Sequence, residues 1–179
     1  MDPDWVDIDT VPHHDSGTGR SGELIRWLVL AALVAVVALS MSGRLGVRSA
    51  VSSARSVDGS FELTVEYARV TRPGLPTPFR IEVSSTDGEA LPPEIVLRVD
   101  AAYLGIFDEN GLDPEPDGAT SSGDHLEWTF EVAPDTQRTT VDLDARLEPS
   151  VQSGRDGWVA LVDDGVEVAR VRFHTRVMP

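Results

Sequence analysis

The stretch FELTVEY, residues 61–67, alternates apolar and polar side chains without interruption. In an extended chain successive side chains point to opposite faces, so this stretch places an apolar row on one face and an acidic row on the other. An amphipathic helix would instead repeat its apolar positions every three or four residues. Residues 61–67 are therefore predicted to form a half-buried β-strand.

The same alternation recurs along the rest of the chain. Further strands are predicted at residues 79–83, 95–99, 126–132, 141–147, 158–162 and 166–177. Clusters of Pro, Gly, Asp and Ser separate these segments, and none of the segments has the pattern of an amphipathic helix. Residues 61–179 are therefore predicted to form an all-β domain, a seven-stranded antiparallel sandwich.

The last two predicted strands carry local signals for their pairing. Asp164-Gly165 is a two-residue loop of the kind that accepts positive φ angles, which predicts a tight hairpin. Along the final strand the apolar positions change parity between Val168 and Val171. A β-bulge near Ala169 and Arg170 would absorb that change.

An apolar segment precedes the predicted domain. The run WLVLAALVAVVALSM, residues 27–41, contains no charge, and Arg26 and Arg44 flank the uncharged region. A backbone in lipid must satisfy its own hydrogen bonds, so a spanning segment of this composition is helical. We predict a transmembrane helix over residues 24–43, with residues 27–43 in contact with the bilayer. The alternative is a cleaved signal peptide, for which Ala38-Leu39-Ser40 has the required small-x-small spacing.

The orientation of this helix is predicted from two opposing signals. The arginine count near its ends slightly favours a cytoplasmic C-terminus under the positive-inside rule. Long translocated domains are less governed by that rule, and the downstream domain has the pattern of a secreted β module. We therefore expect a cell-membrane protein with one span, a cytoplasmic N-terminus and an extracytoplasmic C-terminal domain.

The two segments beside the helix have low apolar periodicity. Residues 1–23 form a short acidic tail that interleaves Trp and aliphatic residues with aspartates. Residues 44–60, rich in Ser, Gly and Arg, are predicted to be a flexible linker that holds the domain off the bilayer.

Composition excludes several classes of function. The formal net charge is −15, which disfavours nucleic acid as a partner, because phosphate and an acidic protein repel each other. The chain has no cysteine, so disulfides, thiol catalysis and thiolate metal sites are excluded. No cofactor-binding motif and no small-molecule substrate site is evident.

The densest acidic stretch is GIFDENGLDPEPDG, residues 105–118. Calcium loops need ligands at alternate positions with Gly at the sixth, and here Asp108 and Asn110 fit the first and third places. Gly111 comes at the fourth place, so the motif fails, and Asp108, Asn110 and Asp113 are weak metal candidates only. The stretch is predicted to be a solvated loop at one end of the sandwich that contacts a partner through Asp108, Glu109 and Glu115.

No catalytic residue is predicted. The chain lacks the G-x-S-x-G nucleophile turn of serine hydrolases, and a carboxylate pair cannot be singled out among 30 acidic residues. His125 and His174 lie on the outward parity of their strands, where solvated imidazoles are usual. The protein is therefore expected not to be an enzyme.

The phrases YARVTRPGLPTPF, IFDENGLDPEP and LDARLEPSVQSGR resemble single-pass membrane proteins of high-GC bacteria. In that group an N-terminal anchor carries an extracytoplasmic immunoglobulin-like domain. The resemblance implies a seven-stranded antiparallel immunoglobulin-like sandwich after one transmembrane helix, with no known active site. The chain lacks the two cysteines of antibody domains.

These observations predict a membrane-anchored, non-enzymatic module that binds another membrane or envelope protein as an accessory subunit. Ala31, Ala35 and Ala38 share one helix face, which suits close packing against a second helix. The alternative is a calcium- or carbohydrate-binding envelope module that uses residues 105–118.

Overall fold

The computed structural model describes residues 20–41 and 46–178, without the side chains of residues 20, 21, 40, 109 and 110. The described residues divide into two compact units, one within residues 1–42 and the other within residues 43–179. The elements in chain order are α1 (Arg20–Met41), β1 (Arg48–Arg55), β2 (Phe61–Thr71), β3 (Pro76–Ser85), β4 (Glu94–Asp100), α2 (Ala101–Leu104), β5 (Phe107–Asp113), β6 (Gly118–Ser121), β7 (His125–Glu131), β8 (Arg138–Leu147), β9 (Arg155–Asp163) and β10 (Val166–Val177).

The described residues of the first unit form the helix α1. Its segment Gly22–Leu39 is long and apolar enough to cross a membrane, with a mean hydropathy of 2.1 and none of it buried. A signal sequence near the N-terminus would have the same properties. The helix overlaps the predicted span of residues 24–43, although residues 42 and 43 lie outside the described residues.

The second unit is a β-sandwich made from one curled sheet. The strand order is β5-β8-β3-β2-β10-β9-β4-β7-β6, with β1 paired to β2 beside this path. We call β1, β2, β3, β8 and β5 the front layer, and β10, β9, β4, β7 and β6 the back layer. Within these layers β2-β3-β8-β5 and β4-β9-β10 follow the A-B-E-D and C-F-G orders of a constant-type immunoglobulin sandwich.

All seven strands expected from the sequence are present, but the seven-strand count is wrong, because β1, β5 and β6 raise it to ten. The wholly antiparallel arrangement is also wrong. β10 runs parallel to β2 where Arg176 and Val177 pair with Val70 and Thr71. This short ladder joins the two layers, since β2 pairs with β3 over its first residues and meets β10 only at its end.

Strand β1 corrects the predicted flexible linker of residues 44–60. Arg48–Arg55 pairs antiparallel with β2 and covers the edge of β2 that faces away from β3. Ala50, Ser52 and Ala54 are half-buried on its inner face. Their side chains are too small to produce a clear apolar periodicity, so the strand depends on backbone pairing with β2 rather than on its own pattern.

The inward residues of both layers form one hydrophobic core. Leu63 and Val65 of the front layer and Leu97 and Val159 of the back layer are fully buried. Leu63, Val65 and Leu97 belong to the inward sets predicted from the alternation of their strands. Burial of such side chains on both layers is the main source of stability for a sandwich without disulfides.

The predicted hairpin and bulge are both present. Asp164 and Gly165 have φ angles of 47° and 77°, as a tight primed turn requires. The register between β9 and β10 shifts between Glu167 and Ala169, so the bulge falls at Val168, beside the predicted position.

Candidate binding surface

The acidic stretch of residues 105–118 is a strand rather than the predicted loop. Phe107–Asp113 forms β5, which pairs antiparallel with β8 at the free edge of the front layer. Phe107 is buried and Leu112 packs against the core, so apolar residues within the stretch attach it to the sandwich. The local composition is that of a turn, and the exposed edge of β8 supplies the hydrogen-bond partners that make it a strand.

The candidate metal ligands of this stretch do not converge. Asp108 lies opposite Arg146, whereas Asp113 lies opposite Asp142 further along the same ladder. About 3.3 Å per residue separates positions on a strand, so the two aspartates are roughly 16 Å apart. Within residues 20–41 and 46–178, no group of three or more His, Cys, Asp or Glu side chains is placed to hold a metal ion.

The predicted partner-binding residues are dispersed. Asp108 and Glu115 are exposed, one on β5 and the other after it. The backbone of Glu109 and Asn110 belongs to β5, and their side chains lie outside the described residues. The three alanines predicted to contact a partner in α1 are exposed: Ala31, Ala35 and Ala38.

A different surface brings aromatic and charged groups together on the outer face of the back layer. Trp158 of β9 points outward, because Gly157 and Val159 occupy the inward positions beside it. The guanidinium carbon of Arg170 lies 4.0 Å from the centre of the Trp158 ring, in cation–π contact. Ala160, whose neighbours across the two ladders are Arg170 and Arg98, is fully buried although it lies on the outer face. We name Trp158, Arg170, Arg98, Glu127 and His125 the Trp158 cluster.

Ion pairs hold the cluster in place. Arg98 Nε is 2.7 Å from Glu127 Oε2 across the β4–β7 pair. Arg170 Nη2 is 2.5 Å from Glu167 Oε2, while Arg170 Nε is buried without a hydrogen-bond partner. The arginine side chains are therefore held in position. This lowers the conformational entropy that they would lose when a partner binds.

His125 completes the cluster on the side of β7. Its ring centre is 6.2 Å from that of Trp158, and its Nδ1 is 2.7 Å from Asp124 Oδ1. This hydrogen bond lowers the pKa of Asp124 below its ordinary value. The outward position of His125 agrees with the sequence prediction, but its contact with an aromatic ring was not foreseen.

The sequence contained a usable signal for this cluster. Strand 158–162 was predicted without assigning its faces. The alternation along the strand places Trp158 on one face and the buried Val159 and Leu161 on the other. A large aromatic residue on the outward parity of a strand is the kind of position that points to a binding surface. Arg98 and Arg170 could not be added from the sequence, because their proximity depends on the order β10-β9-β4.

Charge is unevenly distributed between the two ends of the sandwich, although turns at both ends contain acidic residues, Asp124 and Glu148 among them. The turns at one end, residues 56–60, 86–93, 132–137 and 164–165, contain acids and no arginine. We name this the acidic end, and its turn carboxylates are Asp58, Asp87, Glu89, Asp135 and Asp164. At the opposite end, Arg69, His174 and Arg176 line one shallow depression with Tyr67 and Val70. Arg48 lies beside Val70 in the β1–β2 ladder, and Arg172 is the next outward residue of β10.

We name Arg48, Arg69, Arg172, His174 and Arg176 the basic patch, and the end that carries it the basic end. All five side chains are exposed. One carboxylate lies within the patch, since Asp156 Oδ1 is 2.8 Å from His174 Nδ1. In the described part of the chain, no carboxylate forms a salt bridge with Arg69, Arg172 or Arg176.

The similarity of this chain to known proteins is confined to structure. No protein-family model matches the chain, and no curated protein matches it in sequence. The fold is similar to a non-cellulosomal cohesin from the hyperthermophilic archaeon Archaeoglobus fulgidus, at 10% identity over 63% of this chain and 88% of that one, with a TM-score of 0.38.

Two further solved structures show weaker similarity. Collagen adhesin from S. aureus matches with 7% identity over 67% of this chain and 56% of that one, with a TM-score of 0.35. The alkylpurine DNA glycosylase AlkC from Pseudomonas fluorescens, bound to DNA containing an abasic site analogue, matches with 11% identity over 74% of this chain and 31% of that one, with a TM-score of 0.28. At these scores the similarity supports no statement about function.

Proposed function

We propose that this protein is a membrane-anchored, non-enzymatic β-sandwich module that binds another membrane or envelope protein as an accessory subunit. The observation that carries the proposal is the Trp158 cluster, an outward tryptophan covered by a fixed guanidinium on the face of a sheet. Trp and Arg are the residues most often found at the energetic centre of protein interfaces. The proposed relationship to single-pass membrane proteins of high-GC bacteria fits the same role.

The anchor in this proposal is α1, with the sandwich outside the cytoplasmic membrane. The support is the apolar segment Gly22–Leu39, followed closely in the chain by a folded unit. Ala31, Ala35 and Ala38 are proposed to face a helix of the partner. The alternative role in calcium or carbohydrate binding is not preferred, because Asp108 and Asp113, the described candidate ligands, lie far apart along β5 and do not converge.

Site-directed crosslinking tests the interface. A photoactivatable maleimide crosslinker on Thr120→Cys samples the back layer near the Trp158 cluster, and one on Ser53→Cys samples the front layer as a control. We expect Thr120→Cys to give a defined membrane-protein adduct in intact membranes, and Ser53→Cys to give none. Trp158→Ala should weaken the complex about 30-fold, corresponding to about 2 kcal/mol for an interface tryptophan.

Equal adducts from both reporter positions, or an adduct that persists in Trp158→Ala, would assign the contact to a surface other than the Trp158 cluster. Trp158→Phe keeps an aromatic ring beside Arg170 and should retain most of the binding. The melting temperatures of both variants separate loss of the interface from loss of the fold.

Sidedness has its own test, because the chain contains no cysteine. Ser121→Cys places one exposed thiol at the end of β6. Labelling of the full-length, membrane-retained protein by an impermeant maleimide on intact cells is expected. Labelling only after lysis would place the sandwich in the cytoplasm, and a shortened protein lacking α1 would identify the helix as a cleaved signal.

A further inference from the structure

The overall charge of −15 argues against attraction to an anionic surface, but that charge is unevenly distributed. The turns of the acidic end contain no basic residue, whereas the basic patch places four arginines and His174 on β1, β2 and the second half of β10. Electrostatic attraction to a charged surface is determined by the nearest groups, since screening in physiological salt limits its reach to about 8 Å. The basic patch can therefore be attracted where the molecule as a whole would be repelled.

The position of the patch in the chain identifies the surface it can meet. Arg48 is the first residue of β1, and residues 42–47 separate it from the last residue of α1, Met41. Seven peptide units extend at most about 25 Å. A patch that includes Arg48 is thus kept near the end of a segment apolar enough to span a membrane, whatever path the connecting residues take.

The chemistry of the patch suits phospholipid headgroups. Arginine donates hydrogen bonds in a planar fork that matches phosphate oxygens, and Arg69 and Arg176 line the same depression without a described carboxylate to neutralise them. Clusters of arginine next to a membrane segment are the sequence-level sign of attraction to anionic lipid. The acidic end would be repelled by the same lipid, so attraction and repulsion favour one orientation of the sandwich.

We propose that the basic patch binds the anionic phospholipid headgroups of the membrane that holds α1, with the acidic end directed away from the bilayer. This inference rests on the proposed membrane anchoring. It adds that the sandwich lies against the bilayer surface rather than moving freely on a tether. The Trp158 cluster, which shares β10 with the patch, is then held at the height of a partner's membrane-proximal surface.

The test uses the full-length protein in nanodiscs, with energy transfer from a dye on the protein to acceptor-labelled lipid headgroups. Gln152→Cys reports from the basic end, and Ala90→Cys reports from the acidic end; both positions are exposed and uncharged. Adding phosphatidylglycerol to phosphatidylcholine discs should raise transfer from Gln152→Cys and lower transfer from Ala90→Cys. High salt should reverse both changes, because the attraction is electrostatic.

Two triple variants, each of which removes three positive charges, identify the arginines that cause the response to phosphatidylglycerol. Arg69→Gln, Arg172→Gln and Arg176→Gln together should abolish the response to phosphatidylglycerol. The matched control replaces Arg55, Arg80 and Arg138, which lie on the outer face of the front layer, by Gln and should leave the response intact. A response that survives the first triple variant, or is lost in both, would overturn the assignment to the basic patch.

The remaining outcomes separate this inference from the proposed function. Protein that stays in the discs but shows no dependence on phosphatidylglycerol would overturn lipid binding and leave anchoring intact. Binding of the patch to an acidic protein in discs of phosphatidylcholine alone would likewise replace lipid as its ligand. Protein that does not associate with discs at all would contradict the anchoring itself.

Discussion

Gly157 and Gly88, which lie at opposite ends of the sandwich, are required for opposite reasons. At the basic end, a Cβ added to Gly157 would lie 2.6 Å from the ring of Tyr103 and 2.7 Å from that of Phe173, so the position has no room for a side chain. At the acidic end, Gly88 has a φ of 83° and nothing within 4 Å of an added Cβ, so its backbone conformation is the constraint. The first position is limited by packing and the second by turn geometry.

At the basic end, the space around Gly157 is filled by residues that a short helix places there. Asp100 caps α2 by accepting hydrogen bonds from the backbone of Ala102 and Tyr103, at 2.9 and 3.1 Å. This turn places the Tyr103 ring in edge contact with Phe107 and Phe173, at centroid distances of 5.2 and 4.9 Å. The α2 turn thereby fills the space between the layers at the basic end.

A chain of hydrogen bonds crosses this aromatic cluster. Thr175 donates its hydroxyl hydrogen to the carbonyl oxygen of Ala68 at 2.8 Å, so the Tyr103 hydroxyl, 2.9 Å from Thr175 Oγ1, must donate to it. Burial raises the pKa of Tyr103 and keeps the hydroxyl protonated. Three buried polar atoms from α2, β2 and β10 are thus satisfied together.

The largest effect is expected from Gly157→Ala. The added methyl group overlaps two aromatic rings, and overpacking of a core of this kind costs about 3 kcal/mol of the free energy of unfolding. Thermal unfolding of the full-length protein in mild detergent, followed by near-ultraviolet circular dichroism, measures the change. Gly118→Ala on β6 is the control, because its added Cβ lies at an ordinary 3.6 Å from Thr129. Similar melting temperatures for the two variants would contradict the packing difference.

Thr175→Val should have the next largest effect, about 2 kcal/mol, because it leaves the Tyr103 hydroxyl buried without its acceptor and removes the hydrogen bond to the Ala68 carbonyl. Tyr103→Phe removes the donor and leaves the Thr175–Ala68 hydrogen bond in place, so it should cost only about 1 kcal/mol. Chemical denaturation of both variants tests the order. A larger loss for Tyr103→Phe would show that the ring position, rather than the hydrogen-bond chain, is the sensitive feature.

The smallest effect is expected at the acidic end, from the titration of Asp58. Hydrogen bonds from the hydroxyls of Ser56 and Ser60, each 2.5 Å long, lower the pKa of Asp58 from 3.8 to about 2. Because the pKa of Asp58 is lower in the folded state than in the unfolded state, its ionised carboxylate stabilises the fold at pH values above about 4. This contribution is lost as the pH falls from about 4 to about 2. Because Asp58 is fully exposed, the contribution is small.

Titration of the Asp58 carboxyl by nuclear magnetic resonance measures this shift directly. Ser60→Ala removes one donor and should move the pKa of Asp58 back toward its ordinary value. Asp58→Asn should reduce the loss of stability between pH 4 and pH 2. An ordinary pKa for Asp58 in the unmodified protein would show that the turn is not held by these hydrogen bonds.

The sequence by itself determined the features that depend on near neighbours. Alternation marked seven of the ten strands in the described residues and the inward faces of most of them, since side chains point to opposite faces along any extended chain. The Asp164-Gly165 turn was predictable because its positive φ angles suit those residue types. The apolar helix was predictable from composition and length alone.

Only the tertiary structure decided what depends on distant partners. β1 and β5 lack a strong strand pattern and exist because β2 and β8 offer unpaired backbone groups at their edges. The Trp158 cluster and the basic patch require the strand order, which brings together residues from separate parts of the chain. A total charge of −15 likewise says nothing of where the charges lie. Local patterns set periodicity and turn angles, but strand neighbours are chosen by hydrogen bonding and burial across the whole chain.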